Sequence, residues 1–478
     1  MVRPFCTLSA VLLLVSAWLS ASGALRLVHA QTTGSRLYIG AGSCDGSNCH
    51  GGLRAQTGYI GQNEYRVWEL KDKHARAYTV LSKERSTIIA RNLTRMQQSD
   101  ATKMPECLSC HSLAADPGEV EVKSLLKDGV SCEACHGAAD AWLGSHRRKD
   151  NRRKGQSKLS MYNTKDVVER AKKCVGCHVG DGKERNVNHR LIAAGHPVLS
   201  FEMETFTAQM PPHWREKSND DWLQSRVWGY GQAVALRAVM AQLATRTRQR
   251  VATDWPEFAD FDCFACHREV RNIKSMYFVR PPQAMRKEGR SWRLQESEAA
   301  WQPSSRQAEG FQGMPGIPAW DRSQTIALRQ LVKVVAPDAH APLEQALREA
   351  DDSMARVGMS DPLKIAAAAN RVVQLLDTAI IPKLQAARFD AQQTLNLLRH
   401  LSSDETAGAS AGIFAAEHLF MSLQALYVNY RQHVRRDDYK AIDNRFRAIF
   451  DLLQDHASYD AEAFKEQLRQ LNQMFGQP

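Results

Sequence analysis

The chain has no cysteine after Trp320 and, before it, almost none outside one recurring pattern. Ten of its eleven cysteines fall in five segments, Cys44/Cys49, Cys107/Cys110, Cys132/Cys135, Cys174/Cys177 and Cys263/Cys266, and the eleventh, Cys6, stands at the extreme N-terminus. No thiol is left over, so none of the stability comes from a disulfide. Beyond the N-terminal leader, no apolar run approaches the roughly 20 residues that span a bilayer. The βαβ setting of a thioredoxin-like redox motif is missing as well, and such a chain normally carries one C-x2-C pair rather than several.

What is present is a histidine directly after every pair: His50, His111, His136, His178 and His267. Two thiols so spaced add across the two vinyl groups of one porphyrin, and the next residue then lies under the iron as its proximal ligand, which is the attachment chemistry of c-type haem. Structural zinc is the main rival, because Cys107/Cys110 followed by Cys132/Cys135 also fits a zinc ribbon. Histidine decides against it: with 16 histidines in 478 residues, five such placements by accident have a probability of about 10⁻⁷, and zinc ribbons do not require them. The first motif, Cys44-Asp45-Gly46-Ser47-Asn48-Cys49-His50, has a four-residue spacer instead of two. Multihaem cytochromes use that longer loop too, so about five haems are expected.

Residues 1–30 read as a secretory signal, with Arg3 before an apolar core from Leu8 to Leu19 and a small-residue cleavage site at Val28-His29-Ala30. Export to the periplasm or beyond suits haem attachment, which takes place outside the cytoplasmic membrane. The formal charge of +11 ordinarily suggests an anionic partner. Five haems with about ten propionates absorb most of it, leaving roughly +4 in the oxidised holoprotein, so no nucleic-acid partner is expected. The run His146-Arg147-Arg148-Lys149-Asp150-Asn151-Arg152-Arg153-Lys154 reads as a solvated loop, with a docking patch for an acidic partner as the alternative.

The expected fold is mainly α. Residues 31–271 form a multihaem domain with sparse secondary structure around stacked haems. Residues 272–320, rich in proline and glycine, form an extended linker or wrapping arm, and 321–478 form a helical bundle of about four to six helices. Helices are expected over Asn63–Lys83 and Trp222–Arg248. Asp361-Pro362 reads as an N-cap and first helical position leading into the stripe Ile365, Ala369, Val372, Leu376 and Ile380. Ile413 to Tyr430, Ile442 to Leu453 and Phe464 to Leu471 repeat the three- and four-residue steps. The bundle's His400, His418 and His433 read as surface residues.

Outside the leader and the proximal positions, the chain up to His267 holds five more histidines: His74, His146, His189, His196 and His213. Five irons meet five candidate sixth ligands, which favours bis-histidine ligation and leaves no open position for substrate. A hydrogen bond to a propionate is the alternative role for any of them. Met203 and Met210 read as packing residues.

The block His74-Ala75-Arg76-Ala77, the run Gly129-Val130-Ser131-Cys132-Glu133-Ala134-Cys135-His136-Gly137, and Val187-Asn188-His189 through Ala194-Gly195-His196-Pro197 resemble multihaem cytochromes of the cytochrome c-554 type, over roughly Gly40 to His267. The resemblance implies haems stacked in near-parallel and near-perpendicular pairs, and a periplasmic carrier fed by an octahaem hydroxylamine-oxidising enzyme. It implies proximal ligation by His50, His111, His136, His178 and His267 and distal ligation by His74 and His196. The type member has four haems where this chain has five motifs, and it lacks the C-terminal helical domain.

The expected function is an exported pentahaem cytochrome passing single electrons between a redox donor and an acceptor. The alternative is a multihaem oxidoreductase acting on a small nitrogen or sulfur compound at a five-coordinate haem. The chain lacks the C-x2-C-K attachment site of pentahaem nitrite reductase, which weakens that alternative. A third reading makes the C-terminal helices a docking module for a larger complex or a membrane surface.

Overall fold

The computed structural model describes residues 37–478 except 58–59, 97–98, 114–122, 149–160, 217–219, 249–255, 264–284, 289–290, 295–318, 356–360, 411 and 477–478. The leader, Cys266, His267 and most of the linker therefore lie outside the described residues, as does the second half of the basic run. The fold is mainly α. The strands among the described residues are one antiparallel hairpin, Met285–Glu288 with Ser291–Leu294.

The segment carrying the cysteine motifs is built from short helices: α1 (Glu64–Lys71), α2 (Glu84–Thr94), α3 (Pro105–His111), α4 (Cys132–His136), α5 (Val167–His178), α6 (His189–Ala193) and α7 (Met203–Gln209). The single helix expected over Asn63–Lys83 is broken into α1, a 3-10 turn Lys73–Arg76 and a short helix Ala77–Val80. Asp72 is the cause: its extended backbone ends α1, and its carboxylate accepts from the His74 N–H to start a new turn. His74 thus sits on a tight turn rather than on a long helix. Apart from the main core, the aliphatic clusters of this segment are small, Leu81 with Ala90 and Ala101, and Ile89 with Leu191 and Ala194. Hydrocarbon side chains alone give this region little core.

The main core lies further along and runs without a break from Val168 to Phe475. Its axis is α8 (Leu223–Arg248), whose Val227, Trp228, Ala233, Leu236 and Met240 are buried. One side of α8 meets α5, and another meets α9 (Ser323–Val335) and α11 (Pro362–Leu375). Gly231 permits the close approach of α7, because a Cβ there would stand 2.5 Å from Met203 Cβ. α8 precedes the linker in sequence, yet it packs among the C-terminal helices.

Nine α-helices follow Trp320 among the described residues, more than the four to six expected. They include α10 (Pro337–Met354), α12 (Ala391–Leu401), α13 (Ile413–His433), α14 (Tyr439–Leu453) and α15 (Ala461–Gly476). Asp361 caps α11 by accepting from Leu363 N–H, with Pro362 at the first position, and the stripe from Ile365 to Ile380 is buried. Pro382 lacks the N–H that would continue the α-helical ladder, and the helix passes through a π turn at Leu376–Ile380 and continues as Ile381–Ala386. No helix among the described residues is long and apolar enough to cross a membrane.

Candidate cofactor-binding site

In α3 and α4 both cysteines and the histidine occupy one short helix, so Sγ, Sγ and imidazole share a face at steps of three and one. The fourth motif closes α5 the same way, its start fixed by Asp166, whose carboxylate accepts from Val168 and Glu169 N–H. The longer first motif folds its extra residues into a turn. Cys49 N–H donates to Gly46 C=O at 2.7 Å and His50 N–H to Cys44 C=O at 3.2 Å, which returns the second cysteine and the histidine to the side of the first. Gly51 is required there, since a Cβ would lie 2.0 Å from the Asp45 carbonyl oxygen.

Three of these motifs open on one cavity of about 820 Å³, lined by Cys44, Cys49, His50, Cys132, Cys135, His136 and Cys174 together with His74, His146 and His213. Trp68, Trp142, Tyr65 and Met210 supply apolar wall. That volume is toward the upper end of the ~300–1,000 Å³ typical of small-molecule sites.

The imidazoles come in facing pairs. Ring centres of His50 and His146 are 6.3 Å apart with planes at 18°. Those of His74 and His178 are 6.1 Å apart at 83°, and those of His111 and His196 are 6.4 Å apart at 83°. Two imidazoles bound to one metal from opposite sides, each at about 2.0 Å with its ring centre about 1.1 Å beyond the nitrogen, stand about 6.2 Å apart. His136 and His213 line the cavity together. Burial, with His213 as the next largest influence, pushes His136 down to about 4. Burial does the same to His178. Both are neutral at physiological pH, the form that ligates metal.

Second hydrogen bonds orient these rings. Nδ1 donates to a backbone carbonyl in His111 (Ala77, 3.0 Å), His196 (Pro197, 2.8 Å) and His146 (Leu143, 2.6 Å). It donates to a carboxylate in His50 (Glu64, 2.9 Å) and His74 (Asp72, 3.0 Å). Each bond places the proton on Nδ1 and leaves Nε2 as the nitrogen with a free lone pair. Neither Glu64 nor Asp72 was legible as a site residue. The one available signal was Asp72 two positions before His74, the spacing of a side-chain cap.

The zinc-ribbon arrangement is not formed. Cys110 lies in hydrogen-bonding contact with Cys177, and Cys132 with Cys44, so the second and third pairs meet other motifs rather than each other. No group of three or more metal-ligating side chains is found among the described residues. Burial pushes the Cys135 thiol up to about 11 and that of Cys174 up to about 12, away from the thiolate form zinc binds, whereas the hydrogen bond with Cys110 brings Cys177 down to about 7. Paired thiols, opposed imidazoles and aromatic walls together fit a flat apolar macrocycle with a central metal.

Cys263 is half-buried, and its partners Cys266 and His267 are not described. His189 begins α6, its ring 5.7 Å from Phe258 and its N–H bonded to Glu257. Met203 is buried packing, as expected. The C-terminal histidines diverge from their surface reading at one position. His418 is buried, with Nε2 2.9 Å from Gln232 Oε1, because α13 turns that face onto α8.

Residues 44–137 match the family model described as cytochrome c554 and c-prime. No curated protein and no solved structure matches the chain.

Proposed function

We propose, from the match of residues 44–137 to the cytochrome c554 and c-prime family model and from the motif geometry, that the chain is an exported pentahaem c-type electron carrier with bis-histidine ligation at every site. Haem c, when bound, supplies a one-electron ferric/ferrous couple. The thioether positions are Cys44/Cys49, Cys107/Cys110, Cys132/Cys135, Cys174/Cys177 and Cys263/Cys266, with His50, His111, His136, His178 and His267 proximal. The distal partners are His146 at site 1, His196 at site 2, His213 at site 3, His74 at site 4 and His189 at site 5.

The observation that carries this reading is the ring spacing: three pairs at 6.1 to 6.4 Å, against about 6.2 Å for two imidazoles on one metal. Surface histidines have no reason to pair at one repeated distance. The assignment of His189 rests on elimination and on its place near Phe258 and Glu257, just before the fifth motif.

The sulfur contacts support an order. Site 1 adjoins site 3 through Cys44 and Cys132, and site 2 adjoins site 4 through Cys110 and Cys177. Sites 3 and 4 are near enough for Cys135 to influence Cys174. His189, the distal ligand proposed for site 5, lies next to site 2, since Arg190 beside it pairs with Glu106 beside Cys107 at 3.9 Å. The chain 1–3–4–2–5 gives two ends at which a donor and an acceptor can dock. With every iron position filled by two imidazoles, the protein's contribution is to hold the rings, exclude water and fix the spacing, not to bind substrate. The 272–320 segment acts as the connection between the haem-bearing segment and the C-terminal helices.

Haem quantification and electron paramagnetic resonance (EPR) of oxidised protein from a haem-maturing secretory host test the proposal. Five covalent low-spin haems are expected; a high-spin ferric component that binds cyanide would favour the enzyme reading.

A further inference from the structure

Resting on the ligand pairs proposed above, we propose that Glu64 and Asp72 are positioning residues that lower the reduction potentials of sites 1 and 4, so that low and high potentials alternate along the order 1–3–4–2. Of the six ligand rings whose Nδ1 partner is visible, three donate to backbone carbonyls and one approaches the Thr164 hydroxyl at 3.5 Å. Only His50 and His74 donate to an anion. A carboxylate draws the Nδ1 proton toward itself, shifts negative charge onto the ring and makes Nε2 a stronger donor, which favours ferric over ferrous iron. A neutral carbonyl does so less, because its bond to the proton is weaker.

Both carboxylates are built in. Glu64 Oε1 accepts from the N–H groups of Gly61 (2.7 Å) and Gln62 (3.2 Å), which leaves Oε2 for His50. Asp72, whose side chain is 3% exposed, spends Oδ1 on both the backbone N–H and the ring of His74, at 2.9 and 3.0 Å. Its other oxygen is buried without a partner. Among the described residues the recorded ion-pair partner of each is its histidine, with no lysine or arginine to neutralise it. The negative charge is therefore delivered to the ring at close range and in low dielectric.

The ring planes label the two sites spectroscopically. Near-parallel imidazoles, as at site 1, give a rhombic low-spin ferric EPR signal, and near-perpendicular ones, as at site 4, give a single feature at large g. Potentiometric titration of the holoprotein, followed optically and by EPR, is the test, on wild type and on the Glu64→Gln, Glu64→Asp, Asp72→Asn and Glu69→Gln variants. In wild type, a rhombic component should be among the last to be reduced. Glu64→Gln should raise the midpoint of that component alone, by about a tenfold change in ferrous-to-ferric ratio at fixed potential, or ~59 mV. Glu64→Asp should restore part of the shift. Asp72→Asn should raise one large-g component, and Glu69→Gln, an exposed carboxylate beside Arg66, should move nothing.

Unmoved or lowered midpoints with five low-spin haems retained would overturn the inference while leaving the ligand pairs intact. So would early reduction of every rhombic component in wild type, which needs no variant to fold. Fewer than five low-spin haems in wild type would instead count against the pairs themselves.

Discussion

At the residue scale, the cysteines and proximal histidines are legible because their geometry is local. A helix places positions i, i+3 and i+4 on one face whatever the rest of the chain does. Distal partners are a through-space property. The sequence supplies five spare histidines for five irons, but nothing in it says that His74 meets His178 or that His111 meets His196. If the pairs are right, His196→Met should convert one bis-histidine haem to histidine–methionine ligation and raise one potential. Optical and EPR spectra of the remaining sites should be unchanged; loss of several signals together would show that His196 holds the fold rather than one iron.

His418 offers a second test at this scale. It was read as exposed because the periodicity of α13 marks a buried stripe without marking its width. Burial carries its pKa from the usual 6.5 down to about 4, so the folded protein keeps it neutral where the unfolded chain would take up a proton. The unfolded state binds more protons between those values, and stability therefore falls as pH drops from about 6.5 toward 4, by about 3 kcal/mol in total from this group. His418→Gln should flatten that acid limb in denaturant titrations at stepped pH; an equally steep limb in the variant would assign the loss to other groups.

At the element scale, the C-terminal helices were legible in type and approximate position, since apolar residues at steps of three and four specify a buried stripe. Their number was not, because the breaks after Ala386 and around Ser402 fall inside stretches of continuous helical pattern. The break at Asp72 was hidden for a similar reason: a capping aspartate within a helix-favouring stretch is visible only once its acceptor contact is formed. α8 is the element on which both halves depend. Gly231→Val would drive a side chain into Met203, and such overpacking costs typically 1–3 kcal/mol. A lowered Tm with haem content retained is the expected result, and an unchanged Tm would mean that α7 can shift away.

At the scale of the whole molecule, the core shared by α5, α8 and the helices after Trp320 has a consequence for how the protein can be divided. α5 ends in Cys174, Cys177 and His178, so the bundle braces the fourth motif. Ending the chain at Trp320 would uncover the buried faces of α8, and the truncated protein should aggregate or lose haem from site 4. A soluble, fully loaded product would show that the bundle is a separable docking module instead. The motif-bearing segment before Val167 presents the opposite case. Its small aliphatic clusters make it dependent on its cofactors for a core, so unloaded protein should show faster proteolysis there than in the bundle.

The account rests most directly on two imidazoles facing each other across one iron at each site. Low-temperature EPR of the fully oxidised holoprotein, integrated against a covalent haem count from intact mass at about 616 Da per haem, measures this in one sample. The account predicts five haems, all low-spin, with a rhombic signal from the near-parallel pair at site 1 and large-g signals from the perpendicular pairs at sites 2 and 4. A stoichiometric high-spin ferric signal, or a mass short of five haems, would contradict it.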